Sequence, residues 1–198
     1  MHHIYKTKAF VLKSWPVKEA NKNLVLLTED LGVLHASVQG ARKIESKMRQ
    51  SIQDYSLIQV ALISGRAGWK MINVSFISNF YTDIGSDLSS ILIQIFSLIQ
   101  RLVAGEMEDR NLFILIHEIV NFAVKNSNKL TSEDVKSFEA ISISKILLIL
   151  GYFEEEKAPH YLQNKISTGI IKDLNSSKNI SRKKLIIEIN KSISESAL

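Results

Sequence analysis

The spacing of apolar residues changes near residue 80, and this change constrains the fold more than any other feature of the sequence. Residues 5–15 begin with alternating polar and apolar side chains, and residues 23–28 form an apolar run of strand length. After residue 80 the apolar side chains recur every three or four positions, as on one face of a helix. The sequence therefore predicts an α+β protein, with a β-rich domain over residues 1–80 and an all-helical domain over residues 81–198.

Five segments of the first domain are predicted strands, separated by turns such as "EDLG" and "SGRAG". The longest connection separates the third strand from the fourth. A five-stranded Greek-key barrel of the OB type has its helix or long loop at that place. The first domain is therefore predicted to be an OB-fold β-barrel. Its strands are predicted at residues 5–15, 23–28, 33–38, 54–63 and 70–80.

Three helices are predicted in the second domain, followed by two weaker helical segments. Gly105 is placed to end the first helix, and the second covers about residues 111–124. Thr131 or Ser132 can cap the third helix, which is predicted to stop at Gly151. The apolar faces of these helices must pack on each other or on the barrel.

Positive charge is concentrated in the first 80 residues. They contain 11 Lys and Arg against 5 Asp and Glu, whereas the remaining 118 residues contain 14 against 15. This asymmetry predicts a polyanion-binding N-terminal domain. The sequence has no cysteine, no secretory signal pattern and no apolar run of membrane-spanning length, so we expect a cytoplasmic protein without disulfides or cysteine-based metal sites.

The segment "GARKIESKMRQ", residues 40–50, lies in the long connection and contains four cations and one acid. Ordinary solubility charge would explain four cations in a polar loop. A glycine at the start, however, allows the chain to turn sharply off the third strand, and small or polar neighbours leave the loop free to lie along a phosphate backbone. We therefore predict that this segment contacts nucleic acid. The predicted contacts are Arg42, Lys43, Lys47 and Arg49.

Other cations and several aromatic rings come from the same small barrel. OB folds bind single strands by combining a cationic groove with rings on which bases stack. Packing in the core or at the barrel rim is the alternative role for each ring. Trp15 and Tyr55 are available, and Trp69 is the best candidate because it lies beside a turn. The further predicted DNA-binding residues are Lys13, Arg66, Lys70 and Trp69.

An enzyme is not predicted. Neither the P-loop nor the G-x-G-x-x-G phosphate-binding pattern is present, His35 and His160 are isolated, and His117 has no second His at helical spacing. Glu106, Glu108 and Asp109 lie close together at a helix junction, where a solvated turn is the simpler interpretation. We therefore expect no catalytic residue, no metal and no cofactor.

The ordered set of motifs resembles the bacterial RecO recombination-mediator family. The similarity covers about residues 4–153, and the set is more specific than any single motif. The motifs are Val11 with Leu12, Glu19, Thr28 with Glu29 and Gly32, residues 39–42 ("QGAR"), Ser46 with Lys47, Gly65 with Arg66, and residues 137–152 ("SFEAISISKILLILGY").

The resemblance implies an OB-fold domain followed by a helical domain, a function without nucleotide hydrolysis, and association with the nucleoid. Family members bind single- and double-stranded DNA, anneal strands coated with single-strand-binding protein (SSB), and act with RecR to load RecA. They also bind the acidic, Phe-ended SSB tail on the helical domain, a role that falls here on Lys136 and Phe138. Many members carry a four-cysteine zinc module soon after the L-G-Y motif, whereas this sequence has no cysteine; the resemblance also leads us to expect a C-terminal region about one or two helices shorter than the usual length.

A different binding module remains as the alternative. An OB-type adaptor for RNA or for a ribosomal partner would present the same barrel chemistry but would not anneal strands. The helical domain and a test for strand annealing separate these two functions.

Overall fold

The computed structural model describes residues 3–43, 45–46, 48–103, 109–152, 159–176 and 182–195. A five-stranded β region precedes a helical region, and a 3₁₀ turn at His160–Gln163 joins two of the later helices. The strands are β1 Ile4–Val17, β2 Asn21–Thr28, β3 Gly32–Val38, β4 Ser56–Gly65 and β5 Gly68–Asn79. The helices are α1 Met48–Ser51, α2 Phe80–Asp83, α3 Ser86–Leu102, α4 Arg110–Asn126, α5 Ser132–Ile149, α6 Thr168–Ser176 and α7 Arg182–Glu195.

The strands form a closed barrel in the order β1-β2-β3-β5-β4. All neighbours are antiparallel except β3 and β5, which pair in parallel at Ala36↔Trp69 and Ser37↔Lys70. The first part of β1 pairs with β4 and the second part pairs with β2. A register shift between Val11 and Lys13 lets this strand bend from one partner to the other. The predicted α+β class, with an OB fold followed by helices, is confirmed.

Alternation along the strands places one set of apolar side chains inside the barrel. Leu24 and Leu26 of β2 and Leu34 and Ala36 of β3 belong to a continuous buried cluster, which Ile52 joins from the end of the β3–β4 connection. Because successive side chains of a strand point to opposite faces, the residues between these positions point outward. The core thus determines which polar residues form the outer surface.

Residue contacts divide the chain into two compact units. The barrel unit comprises Met1–Asp83 with Val103–Phe113, and the helical unit comprises Ile84–Leu102 with Ile114–Leu198. In the helical unit, α5 begins with the predicted cap: the Thr131 hydroxyl accepts a hydrogen bond from the backbone N–H of Asp134, whose carboxylate accepts one from the backbone N–H of Thr131. The helix ends just before Gly151, which has φ +76°.

Candidate nucleic-acid interface

Strand register places four outward-pointing side chains in one row across the barrel. Trp15 of β1 is paired with Asn23 of β2, Asn23 with Ser37 of β3, and Ser37 with Lys70 of β5. Residues paired in register lie on the same side of a sheet. Since the flanking residues of β2 and β3 are in the core, this row lies on the outer surface.

A second row lies beside the first. Lys13 is paired with Val25, and Val25 is paired with His35. Lys13 and His35 are exposed, and the rings of Trp15 and His35 meet edge to face, with centroids 6.2 Å apart and planes at 70°. We call the surface formed by the exposed or half-buried members of the two rows the outer face. Its members are Lys13, Trp15, Asn23, His35, Ser37 and Lys70.

Two turns adjoin the outer face. The β1–β2 turn contains Lys18, and the β4–β5 turn contains Arg66; both side chains are exposed. In OB folds, the strand 2–3 surface and these same two turns bind oligonucleotides and oligosaccharides. The predicted residues Lys13, Arg66 and Lys70 therefore lie on or beside the surface that this fold uses for ligands.

Residues 40–50, which we call the basic segment, begin against the β1–β2 turn. The Arg42 guanidinium donates to the carbonyl oxygen of Lys18 at 3.1 Å, and the Arg42 backbone N–H donates to the carbonyl oxygen of Ala20 at 2.9 Å. Gly40 has φ +66°, and its N–H donates to the Asn21 side-chain oxygen at 3.0 Å. Gly40 thus provides the left-handed bend that turns the segment toward Lys18.

Further along, the segment combines exposed charge with core packing. Lys43 and Arg49 are exposed, while Ile52 is fully buried. Lys47 lies outside the described residues. Within the described part of the chain, six predicted contact residues have no acidic ion-pair partner, so their charge is available to a polyanion. They are Lys13, Arg42, Lys43, Arg49, Arg66 and Lys70.

Trp69 does not provide the stacking ring that the sequence suggested. Its side chain is only 9% exposed, belongs to the barrel core and meets the Tyr5 ring edge to face at 5.1 Å. Its strand turns this side chain inward, as it does Met71 two positions later. Tyr55 packs against the rings of Phe80 and Tyr81. Trp15 is the tryptophan on the outer face. The register of β1 after its bulge is what distinguishes the outward-pointing Trp15 from the buried Trp69.

The predicted SSB-tail residues occupy different surroundings from those expected. Phe138 is fully buried and stacks on Phe122 at 5.3 Å, so its side chain has no exposed surface for a peptide to contact. Lys136 is exposed but donates to Glu133 at 3.0 Å. Glu133 also accepts a hydrogen bond from Arg182 at 2.7 Å, and these two hydrogen bonds lower the pKa of the Glu133 carboxyl. Lys136 therefore already has an acidic partner.

A cleft of ≈390 Å³ lies elsewhere in the helical unit, along α4. Ile114, Phe122 and Ile166 supply apolar lining, and Lys125 and Lys165 supply positive charge. Neither lysine has an acidic partner among the described residues. Sequence reasoning missed this cleft because Lys165 lies in a weakly patterned segment that the sequence did not place next to α4.

The only carboxylate among the cleft residues is already engaged. Glu118 accepts a hydrogen bond from the backbone N–H of Ile166 at 2.6 Å and lies 4.0 Å from the Lys145 ammonium group. Lys145 also donates to the carbonyl oxygen of Asn164 at 2.5 Å, and burial lowers its pKa. These contacts fix residues 164–166 beside α4 and partly neutralise Glu118, leaving a cationic cleft.

The carboxylates at the predicted helix junction lie only partly within the described ranges. Asp109 directly precedes α4, and its carboxylate accepts a hydrogen bond from the backbone N–H of Leu112 at 3.1 Å. Glu106 and Glu108 lie outside those ranges. The described part of the chain contains no group of three or more His, Asp or Glu side chains suited to a metal ion. It also contains no helix long and apolar enough to cross a membrane.

The fold and this surface define an OB-fold domain with a cationic, aromatic outer face, joined to a helical unit. Residues 1–80 match the family model described as "Recombination protein O N terminal". The chain is 34% identical over 112 residues to the DNA repair protein RecO of Clostridium novyi, and this alignment covers 56% of this chain and 43% of that protein. It is 25% identical over 153 residues to the DNA repair protein RecO of Gloeothece citriformis, and this alignment covers 76% of this chain and 53% of that protein.

These matches confirm the resemblance of the chain to the RecO family, and the match to the family model lies in residues 1–80. The chain spans about half the length of the curated relatives it matches.

Proposed function

We propose that this protein binds DNA through the outer face and the adjoining basic segment, and that it acts as a non-enzymatic mediator of recombination in DNA repair. The observation that carries the proposal is the strand register that places Lys13 and Lys70 on one surface with Trp15. Arg66 and the start of the basic segment adjoin that surface. Residues 1–80 would form the nucleic-acid-binding domain and residues 81–198 the partner-binding domain.

The proposed mechanism is electrostatic. Unpaired Lys and Arg side chains replace the counterions that surround a phosphate backbone, and the released ions favour binding. Contacts of this kind position a strand and carry little sequence information. Two strands held on one cationic surface repel each other less, which favours their pairing. The protein would thus anneal single strands coated with SSB and would act with RecR in loading RecA.

The cleft along α4 is the better candidate for the acidic SSB tail. A tail that ends in Phe needs an apolar recess for the ring and cations for its carboxylates. Phe122 and Ile166 supply the recess, and Lys125 and Lys165 supply the charge. Lys136, by contrast, is paired with Glu133.

Strand annealing tests the function. Complementary oligonucleotides, bare and SSB-coated, are mixed with wild type, with Lys43→Ala/Arg49→Ala, and with the control Lys129→Ala/Lys172→Ala, which removes the same charge from the helical unit. We expect wild type and control to anneal strands and the first variant to be several-fold slower. Equal annealing rates for wild type and both variants would show that the basic segment takes no part in annealing. Binding of DNA or RNA without any annealing would instead favour the adaptor function.

Peptide titration tests the partner site. A fluorescent acidic peptide ending in Phe is titrated with wild type, Lys125→Ala/Lys165→Ala and Lys136→Ala. We expect the double variant to bind about 10-fold or more weakly, since it loses two charge contacts, and Lys136→Ala to bind as wild type does. The reverse order of affinities would place the tail at Lys136.

A further inference from the structure

We infer that Trp15 and His35 form a base-stacking site that makes the barrel prefer unpaired nucleotides to duplex. This inference rests on the proposed DNA-binding function and adds a ligand class to the same surface: the flat, uncharged nucleobase. The phosphate contacts alone do not distinguish one strand from two, because both carry the charges that Lys and Arg bind.

The ring geometry leaves room for a base. With centroids 6.2 Å apart and planes at 70°, the two rings meet edge to face and do not lie flat on each other. At least one face of each ring is therefore left uncovered by the other. His35 is exposed, and Trp15 is half-buried, so the residue is both packed and accessible. A packed side chain loses little conformational freedom when a base stacks on it.

The surroundings of the rings match the other parts of a nucleotide. Lys13 lies in the row beside Trp15, and Lys70 lies at the far end of the Trp15 row, so cations are present on both sides of a stacked base. Lys70 is three strand spacings from Trp15, about 14 Å at ~4.8 Å per spacing. Asn23, next to Trp15 in register, presents an amide that can donate to and accept from a base edge.

Stacking on these rings contributes only when a base is unpaired. In a duplex the bases are stacked on one another, and presenting one to a protein ring first requires that it be unstacked and unpaired. Single strands carry no such cost, and every base has a face that can stack. The site therefore adds affinity for single strands of any sequence and little for duplex.

The test compares two oligonucleotides of equal length and phosphate number, one of thymidine and one abasic. Wild type is expected to bind the thymidine strand roughly 5- to 150-fold more tightly, the range that base–aromatic stacking gives. Trp15→Ala is expected to lose most of this preference, and Trp15→Ala/His35→Ala is expected to bind both strands equally. Trp15→Phe keeps a ring and should retain part of the preference, which separates loss of stacking from loss of fold.

Fluorescence provides a second readout, because the chain has two tryptophans and only Trp15 lies on the outer face. Thymidine strands are expected to quench the emission of Trp69→Phe, in which Trp15 is the emitter, and to leave that of Trp15→Phe unchanged. Equal affinity of wild type for the two strands, or an unchanged preference in Trp15→Ala, would overturn the stacking site while DNA binding stands. Failure to bind either strand would overturn the proposed function as well.

Discussion

Salt dependence of single-strand binding measures how many cations of the barrel meet phosphate. Six described cations lie on the outer face, in its two adjoining turns or at the start of the basic segment. They are Lys13, Lys18, Arg42, Lys43, Arg66 and Lys70. At about −0.7 per neutralised phosphate of a single strand, six contacts give a slope of about −4 in log affinity against log salt. Affinity then falls about 300-fold between ~50 and ~200 mM salt.

Lys13→Ala/Arg66→Ala/Lys70→Ala removes three of these contacts. The slope is expected to fall to about −2, and the loss of affinity over the same salt range to about 20-fold. The substituted side chains are exposed or half-buried and have no acidic partner among the described residues, so the fold should be little affected. Fluorescence anisotropy of a labelled thymidine oligonucleotide at five salt concentrations gives both slopes.

A matched control removes the same net charge from the helical unit: Lys129→Ala/Lys172→Ala/Lys183→Ala. This variant is expected to keep the wild-type slope, because non-contacting charges release few counterions. An unchanged slope in the barrel variant, or an equal reduction in the control, would refute the assignment of these cations to a phosphate-binding surface. If the control lost as much slope as the barrel variant, the net charge of the protein alone would explain binding.

Two further predictions concern stability. Gly40→Ala is expected to lower the free energy of unfolding by about 1–2 kcal/mol, because Gly40 has the left-handed φ of +66°. Crowding would add little, since the new Cβ would make only an ordinary 3.9 Å contact. Chemical denaturation tests this, and the control is Gly65→Ala, where an added Cβ meets nothing within 4 Å. The Asp134 pKa is lowered by hydrogen bonds from Thr131, so its contribution to stability is present above about pH 4 and is lost as pH falls through the lowered pKa. Below pH 4 the unfolding temperature of wild type should therefore fall more steeply with decreasing pH than that of Asp134→Asn. Equal slopes of unfolding temperature against pH in the two proteins would contradict this.

The fold was largely predictable because it is determined by local patterns. The change of apolar spacing near residue 80, the long connection after β3 and the Thr131 cap all depend on residues close together in sequence. The structure confirms the OB fold with helices after it. Charge asymmetry also pointed to the barrel as the cationic part of the chain.

The details of the site were less predictable because they depend on non-local register. Trp15 and Trp69 look alike in sequence, and only the bulge in β1 and the pairing of β5 with β3 determine which one points outward. Phe138 is buried through packing on Phe122 from another helix, and the α4 cleft requires Lys165 to lie beside that helix. No local pattern carries this information.

Lysine footprinting tests most directly whether the outer face is the DNA surface. The full chain is acetylated with and without a saturating thymidine oligonucleotide, and the modified positions are measured by mass spectrometry. We expect Lys13, Lys18 and Lys70 to be protected several-fold by DNA, and Lys129 and Lys172 of the helical unit to react equally in both samples. Protection of the helical-unit lysines, with the barrel lysines unchanged, would contradict the account.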